Sequence, residues 1–396
     1  MILLDDLASS ADAALDDLIS IRRHLHANPE LSFYEEKTAA YVSEKLNELG
    51  IAHKSGVGGY GIVADIVGDE DGKTVALRGD MDALPITELN KVAYASRNNG
   101  VMHACGHDVH TTCILGAARL LNERRAALKG TVRLIFQPAE ERIPGGASLM
   151  LKDGVLSDPD VELIFGQHVY PDMEVGNVGF KPGMYMASAD EIYITIKGKG
   201  GHAGLPHKCI DTILMASQVV TAIQQLVSRR ANAGTPTVVS IGKFVGNGAT
   251  NVIPDEVILE GTIRTMNENW RFELHDLLKN LVSGICKAMG GSAEIEIRRG
   301  YPALINDHDL TLWAKKQAIE LLGEENVHDL DLRMTAEDFA YFAREIPACF
   351  YRLGTSNTSK GLGAPLHTGN FDVDEDALRI GSSLMATLAA KALEEL

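Results

Sequence analysis

The densest group of potential ligands in the 396-residue sequence is MHACGHDVH, residues 102–110. Cys105 and His107 stand two apart at the head of a helical pattern, where both side chains can enter one pocket. A thiolate and an imidazole together suit a borderline divalent metal such as zinc, with manganese or nickel as alternatives. Short Cys/His spacings also recur in surface loops, so the motif alone leaves both readings open. A second element is LIFQPAEE, an apolar run that delivers the adjacent carboxylates Glu140 and Glu141. Charges at the end of a buried strand are costly unless paired, exposed or bound to a metal, although an acidic pair by itself reads as a solvated turn. His168 follows the apolar run IFGQ, His367 sits in LHTGNFDVDEDAL, and Asp80 and Asp82 end VALRGDMDALP. Each of these alone is ordinary. Their shared position, where strands give way to loops, is where open α/β sheets place their sites.

The elements that must carry them follow from periodicity. Leu15, Leu18, Ile19, Arg22 and Leu25 fall on one helical face that Pro29 ends, and a second helix over 34–49 stops at Gly50. Strands are expected at 61–67, 74–77, 131–136 and 161–165, with a long helix over 108–128. That alternation implies an α/β sheet covered on both faces. From 191 to 298 the rhythm becomes β-α-β-β-α-β, the ferredoxin-like order, after which helix and strand alternate again up to a closing helix over 374–393. The sequence thus reads as a discontinuous domain, 1–182 and 300–396, interrupted by an inserted one over 183–299.

The formal net charge of −17 argues against a nucleic-acid partner, since phosphate binding needs a basic footprint. No apolar run approaches the roughly 20 residues that span a bilayer, and the acidic N-terminal stretch lacks the pattern of a secretory leader. Five thinly spread cysteines favour a reducing cytoplasm over a disulfide framework. Of these, Cys113, Cys209, Cys286 and Cys349 read as small buried apolar residues.

The segments RRHLHANPELSFYEEKTA, RGDMDALP, ASRNNGVMHACGHDVHT, QPAEE, GKGGHAGLPH and LHTGNFDVDEDAL resemble, in order and over nearly the whole chain, the M20 metallopeptidases. Within them they look like the amidohydrolase branch that acts on hippurate-like and indole-acetyl amino acids. The resemblance implies an α/β, metal-dependent exopeptidase-like catalytic domain with a mixed sheet, interrupted by an α+β ferredoxin-like lid and dimerisation domain. It implies two divalent ions (zinc, manganese, nickel or cobalt) on Cys105, His107, Glu141, His168 and His367, with Cys105 bridging. Glu140 becomes the general base and Asp82 the partner that orients a ligand histidine, while Asp80 is not expected to ligate. His202 becomes the oxyanion donor, and Asn251 and Arg264 substrate contacts, although a strand-end salt bridge suits Arg264 nearly as well. His24 and His26, inside the first motif, suit a structural role at a helix end.

The implied reaction is hydrolysis of an N-acyl-amino acid, a small molecule, by a homodimer or higher homo-oligomer. A dipeptidase or carboxypeptidase is the rival reading, and a non-hydrolysing binder a second. Two departures from the family pattern stand out: Arg142-Ile143 directly after Glu141, and a long Gly/Ser-containing segment over 355–364 that reads as a mobile lip beside His367.

Overall fold

The computed structural model describes residues 4–396; the first three residues of the N-terminal stretch read above lie outside it. It divides into two compact units: Met1–Gly183, Ile305–Asp331 and Asp338–Leu396 form one, and Met184–Leu304 with Leu332–Glu337 the other. The segment Leu332–Glu337 thus packs with residues far from it in sequence.

The first unit is built on an eight-stranded sheet among the described residues. Its central strands are Lys129–Gln137, Glu70–Asp80, Leu163–Glu174 and Ala348–Ser356, which run parallel to one another. Apart from the exposed starts of Lys129–Gln137 and Glu70–Asp80 and the end of Leu163–Glu174 they are buried, which is why they read as continuous apolar runs instead of alternating ones. Antiparallel strands flank them, so the sheet is mixed, as expected. The helices His107–Asn122 and Ala377–Glu395 approach closely. A Cβ on Gly116 would come within 2.2 Å of Ser382 Oγ, and one on Gly381 within 2.6 Å of Cys113 Sγ. Cys113 is therefore a small core residue, as its context suggests. The expected helix over 108–128 begins at His107 and ends at Asn122; a separate 3-10 turn, Arg125–Ala127, carries the chain to the next strand.

In the second unit the strands Asp190–Lys197, Thr237–Val245, Glu256–Thr265 and Ser292–Arg299 form an antiparallel sheet. The strand Asp190–Lys197 lies between Glu256–Thr265 and Ser292–Arg299, with Thr237–Val245 at the far side. That order, with the helices Thr212–Gln225 and Glu268–Ala288 between strands, is the ferredoxin-like topology expected from the sequence. A buried cluster of Asp190, Arg271 and His275 ties the first strand to the second helix: Arg271 donates from Nε to Asp190 at 2.8 Å, and His275 Nε2 lies 2.6 Å from the same carboxylate. All five cysteines are unpaired, but Cys209 is half-exposed and not buried as its composition suggested. It follows the short turn Pro206–Lys208, outside the apolar layer of the sheet.

Candidate metal centre

Three central strands of the first unit, the turn into the helix at His107 and a C-terminal loop bring the ligand-type residues to one place. The strand Glu70–Asp80 leads to Asp82, and Lys129–Gln137 leads through Pro138 and Ala139 to Glu140 and Glu141. The third strand differs from expectation: Leu163–Glu174 does not stop at His168 but runs on through it. Its neighbour Glu70–Asp80 pairs with it only as far as Arg78 opposite Gly166, so His168 lies two residues beyond that pairing. Between Cys105 and His107 stands Gly106, at φ +80°, where a Cβ would come within 2.5 Å of Val169 Cγ2. Only glycine makes that turn cheaply, and it lets Cys105 and the first residue of the helix share a pocket. His367 adopts φ +60°, and its amide donates to the Ala104 carbonyl at 2.8 Å, which ties the distant C-terminal loop to the Cys105 segment.

The distances are short. Cys105 Sγ lies 3.4 Å from His168 Nε2 and 3.4 Å from His367 Nε2. Glu141 Oε1 is 3.4 Å from His367 Nε2 and 3.9 Å from His107 Nε2. Two donor groups result, Cys105–His107–His168 and Cys105–Glu141–His367, each with its ligand atoms within 4.8 Å of one another. They share the thiol. Glu140 adjoins them in a further group with His107 and Glu141. Cys105, His107, His168 and Glu140 are buried, whereas the His367 side chain is 53% exposed.

The hydrogen bonds around these groups leave the ligand atoms available for a cation. His168 Nδ1 can only donate to the Val169 carbonyl, 2.8 Å away, which leaves the Nε2 lone pair facing Cys105. Burial, reinforced by Arg352, keeps that imidazole well below its usual pKa and hence neutral. His107 Nδ1 faces Asp82 Oδ1 at 3.2 Å, and its Nε2 is buried without a hydrogen-bond partner, as is Glu141 Oε1. Orphaned buried polar atoms are rare, and two aimed at one space indicate a missing partner. The hydrogen bond to Cys105 and the adjacent Glu141 carboxylate push His367 up to about 10, so the pocket favours a positive charge there. Burial and Glu141 push the Cys105 thiol up, so a compensating cation is needed for its thiolate. The donor set fits divalent metal.

Neighbouring groups that resemble ligands are already engaged. His110 Nδ1 pairs with Asp80 Oδ1, and its Nε2 accepts the Val169 amide at 2.9 Å. Asp80 also accepts from Arg78 Nη1 at 2.7 Å. Despite its burial, His107, Arg78 and His110 hold its carboxyl well below the usual range. Arg78 is completely buried and bridges Asp80, Gln137 and Asp338. Arg22 is equally buried among Asp108, Asp372 and Glu375, and His26 shares Asp108 with it, in keeping with a structural role for that histidine. Sequence reasoning gave neither arginine a role. The expected mobile lip is instead a tied turn: Thr358 donates to Glu174, Lys360 pairs with Asp374 at 2.8 Å, and Asn357 and Leu362 bond reciprocally. Arg142 and Ile143 are exposed in a turn closed by the Gly145 amide on the Arg142 carbonyl.

In the second unit His202 and Asn251 are held side by side by a two-stranded ladder, in which Val252 pairs with His202 and the Ala203 amide donates to the Asn251 carbonyl. Gly204 N–H donates to His202 Nδ1 at 3.0 Å, which leaves Nε2 as the ring position that can carry a proton and donate. Arg264 is half-buried and forms no ion pair among the described residues, although the charges of Asp190 and Glu191 act on it. Burial lowers its pKa.

Residues 76–391 match the model of peptidase family M20/M25/M40. The chain belongs to that family. It is 42% identical over 382 residues to an N-acetylcysteine deacetylase of Bacillus subtilis, covering 95% of this chain and 97% of the relative. It is 38% identical over 395 residues to thermostable carboxypeptidase 2 of Saccharolobus solfataricus, covering 99% of both. A solved structure, a dinuclear metal-binding M20 peptidase of Bacillus subtilis, aligns with TM-score 0.82 and 38% identity over 97% of this chain and 100% of that one. The M20 member described here is accordingly a metal-dependent hydrolase, and its cofactor is a pair of divalent metal ions.

Proposed function

We propose that this enzyme is an amidohydrolase that cleaves N-acyl-amino acids to a carboxylate and a free amino acid. The names of the two relatives have one bond in common: an amide whose nitrogen belongs to an amino acid with a free carboxylate. Arg264, a half-buried cation that no carboxylate approaches as an ion pair among the described residues, suits such a carboxylate, and Asn251 the amide. The observation that carries the reading is the Cys105-centred donor cluster with Glu140 beside it.

Cys105, His107, Glu141, His168 and His367 would hold the ions, which when bound acidify water and polarise a carbonyl. Glu140 takes the proton from the attacking water and returns it to the leaving nitrogen, since an amine anion does not depart unprotonated. Asp82 fixes the His107 ring so that Nε2 presents its lone pair. His202 Nε2–H donates to the oxyanion. The second unit acts as a lid hinged near 183 and 299–300, pairs with a second copy of the chain, and the protein works in a reducing cytoplasm; the unpaired cysteines favour that compartment. Among the described residues no helix is long and apolar enough to cross a membrane.

The test is Glu140→Gln, assayed at saturating metal on N-acetyl and N-benzoyl amino acids beside unblocked dipeptides. Metal retained with kcat reduced by about 10²-fold or more fits the role; unchanged turnover overturns it. Faster cleavage of the unblocked dipeptides would move the substrate class to the peptidase reading.

A further inference from the structure

The turn that presents Glu140 is held by two acidic side chains that capture three successive amides. Glu140 N–H donates to Asp82 Oδ1 and Glu141 N–H to Asp82 Oδ2, each at 3.0 Å. The preceding amide, Ala139 N–H, donates to Glu35 Oε1 at 2.8 Å. The same oxygen accepts Phe33 N–H at 3.0 Å. Ala139 and Phe33 are two of the few non-glycine residues in the left-handed region, at φ +50° and +71°. Such conformations cost about 1 kcal/mol or more and persist only when the surroundings hold them. The Ala139 carbonyl is fixed too, accepting the Gly146 amide at 3.0 Å. Both polar groups of the residue before Glu140 are thus tied, one of them by Glu35.

Glu35 is fully buried, and its other oxygen, Oε2, has no hydrogen-bond partner. Burial, with Asp82 nearby, raises its carboxyl to about 7. A charged group that only anchored a helix would be expected at the surface; this one begins the helix Glu36–Glu48 yet turns inward onto the strand-exit turn. Ser32, in the same loop, donates to Asp82 Oδ2 at 2.6 Å, so the loop grips both carboxylates' work on the turn.

We infer that Glu35 is a positioning residue for the reaction: by accepting the Ala139 and Phe33 amides it fixes the left-handed turn that aims Glu140 at the scissile bond. This rests on the general-base role proposed for Glu140. The chemistry asked of Glu35 is acceptance of hydrogen bonds, which a neutral amide oxygen also performs, if less strongly than a carboxylate.

The experiment compares Glu35→Gln, Glu35→Leu, Glu140→Gln and the Glu35→Leu/Glu140→Gln double variant in the full chain at saturating metal. Metal content, KM, kcat and amide exchange over residues 137–141 are read for each. Glu35→Leu should lower kcat roughly 10- to 100-fold with KM within about threefold, the scale expected when a catalytic group is misplaced by about 1 Å. It should also speed exchange of the Ala139 amide, which has lost its acceptor. Glu35→Gln should restore kcat to within about threefold of the parent, and the double variant should be no slower than Glu140→Gln alone, since residues acting as a unit are not additive. If Glu35→Leu does not fold, Glu35→Asp, which retracts the acceptor by one methylene, is read in its place with the same expectations. Parent-like kcat in Glu35→Leu, equal losses in the Gln and Leu variants, or an additive double variant overturns the inference. A fully active Glu140→Gln instead overturns the base assignment, which separates the two failures.

Discussion

Two adjacent arginines share one acidic partner, yet their removal should differ several-fold in cost. Arg22 has no exposed side-chain surface and pairs with Asp108 and Asp372 at 2.8 Å each, and with Glu375 at 3.4 Å. Arg23 reaches the same Glu375 at 2.6 Å, but 48% of its side chain is exposed. Removing Arg22 takes one guanidinium from both Asp108 and Asp372 and leaves the buried Asp108 with His26 alone as its partner. Breaking a buried pair this way costs about 3–5 kcal/mol, whereas an exposed pair contributes about 0–1 kcal/mol. With about 2–4 °C of melting temperature per kcal/mol in a domain of this size, Arg22→Met should lower Tm by roughly 6–20 °C and Arg23→Met by no more than about 4 °C. The loss should extend to the metal site. Asp108 adjoins His107, and Asp372 belongs to the same loop as His367, so Arg22→Met should also weaken metal binding while Arg23→Met does not. Thermal melts of metal-free and metal-loaded protein, with metal titrations, measure both effects. Equal Tm shifts for the two variants would refute the reasoning, because the contrast depends on burial alone.

Two other perturbations follow. The Asp190 carboxyl, despite burial, is brought down to about 2 by Arg271 and His275, below its ordinary value of 3.8. Its contribution, on the order of 2 kcal/mol, is therefore present above about pH 4 and lost as pH falls toward 2, so Asp190→Asn should flatten the acid limb of the stability curve; an unchanged limb counts against the cluster. Gly106→Ala must bear a left-handed conformation and a contact at 2.5 Å with Val169, and should lose metal stoichiometrically as well as stability by about 1–3 kcal/mol. Full metal content in that variant would show that the turn is not what joins Cys105 to His107.

How much of this could be read from the sequence depended on distance along the chain. Parallel buried strands announce themselves as apolar runs, and the ligand-type residues beyond them stood out because they interrupt those runs. The ferredoxin-like unit was legible because its elements follow one another at regular intervals. His168 was misplaced at a strand end because the strand continues through His168 into the less apolar stretch up to Glu174. Arg78 and Arg22 were missed as organisers because each joins near neighbours to a distant partner, 260 and 350 residues away respectively. One signal was present: Arg22 falls on the apolar face of its helix with Leu18 and Leu25, where a charge is costly unless paired. Glu35 gave no such signal, since an acidic pair before a helix is an ordinary N-terminal feature. The lip near His367 looked mobile from its glycines, but Glu174 and Asp374, distant in sequence or across the turn, tie it down.

The most direct test is anomalous diffraction from crystals of the metal-loaded enzyme. Two peaks about 3.5–4 Å apart, both within bonding distance of Cys105 Sγ and shared among His107, Glu141, His168 and His367, are the expected result. A single ion, or ions bound with Cys105 left as an unligated thiol, would contradict it.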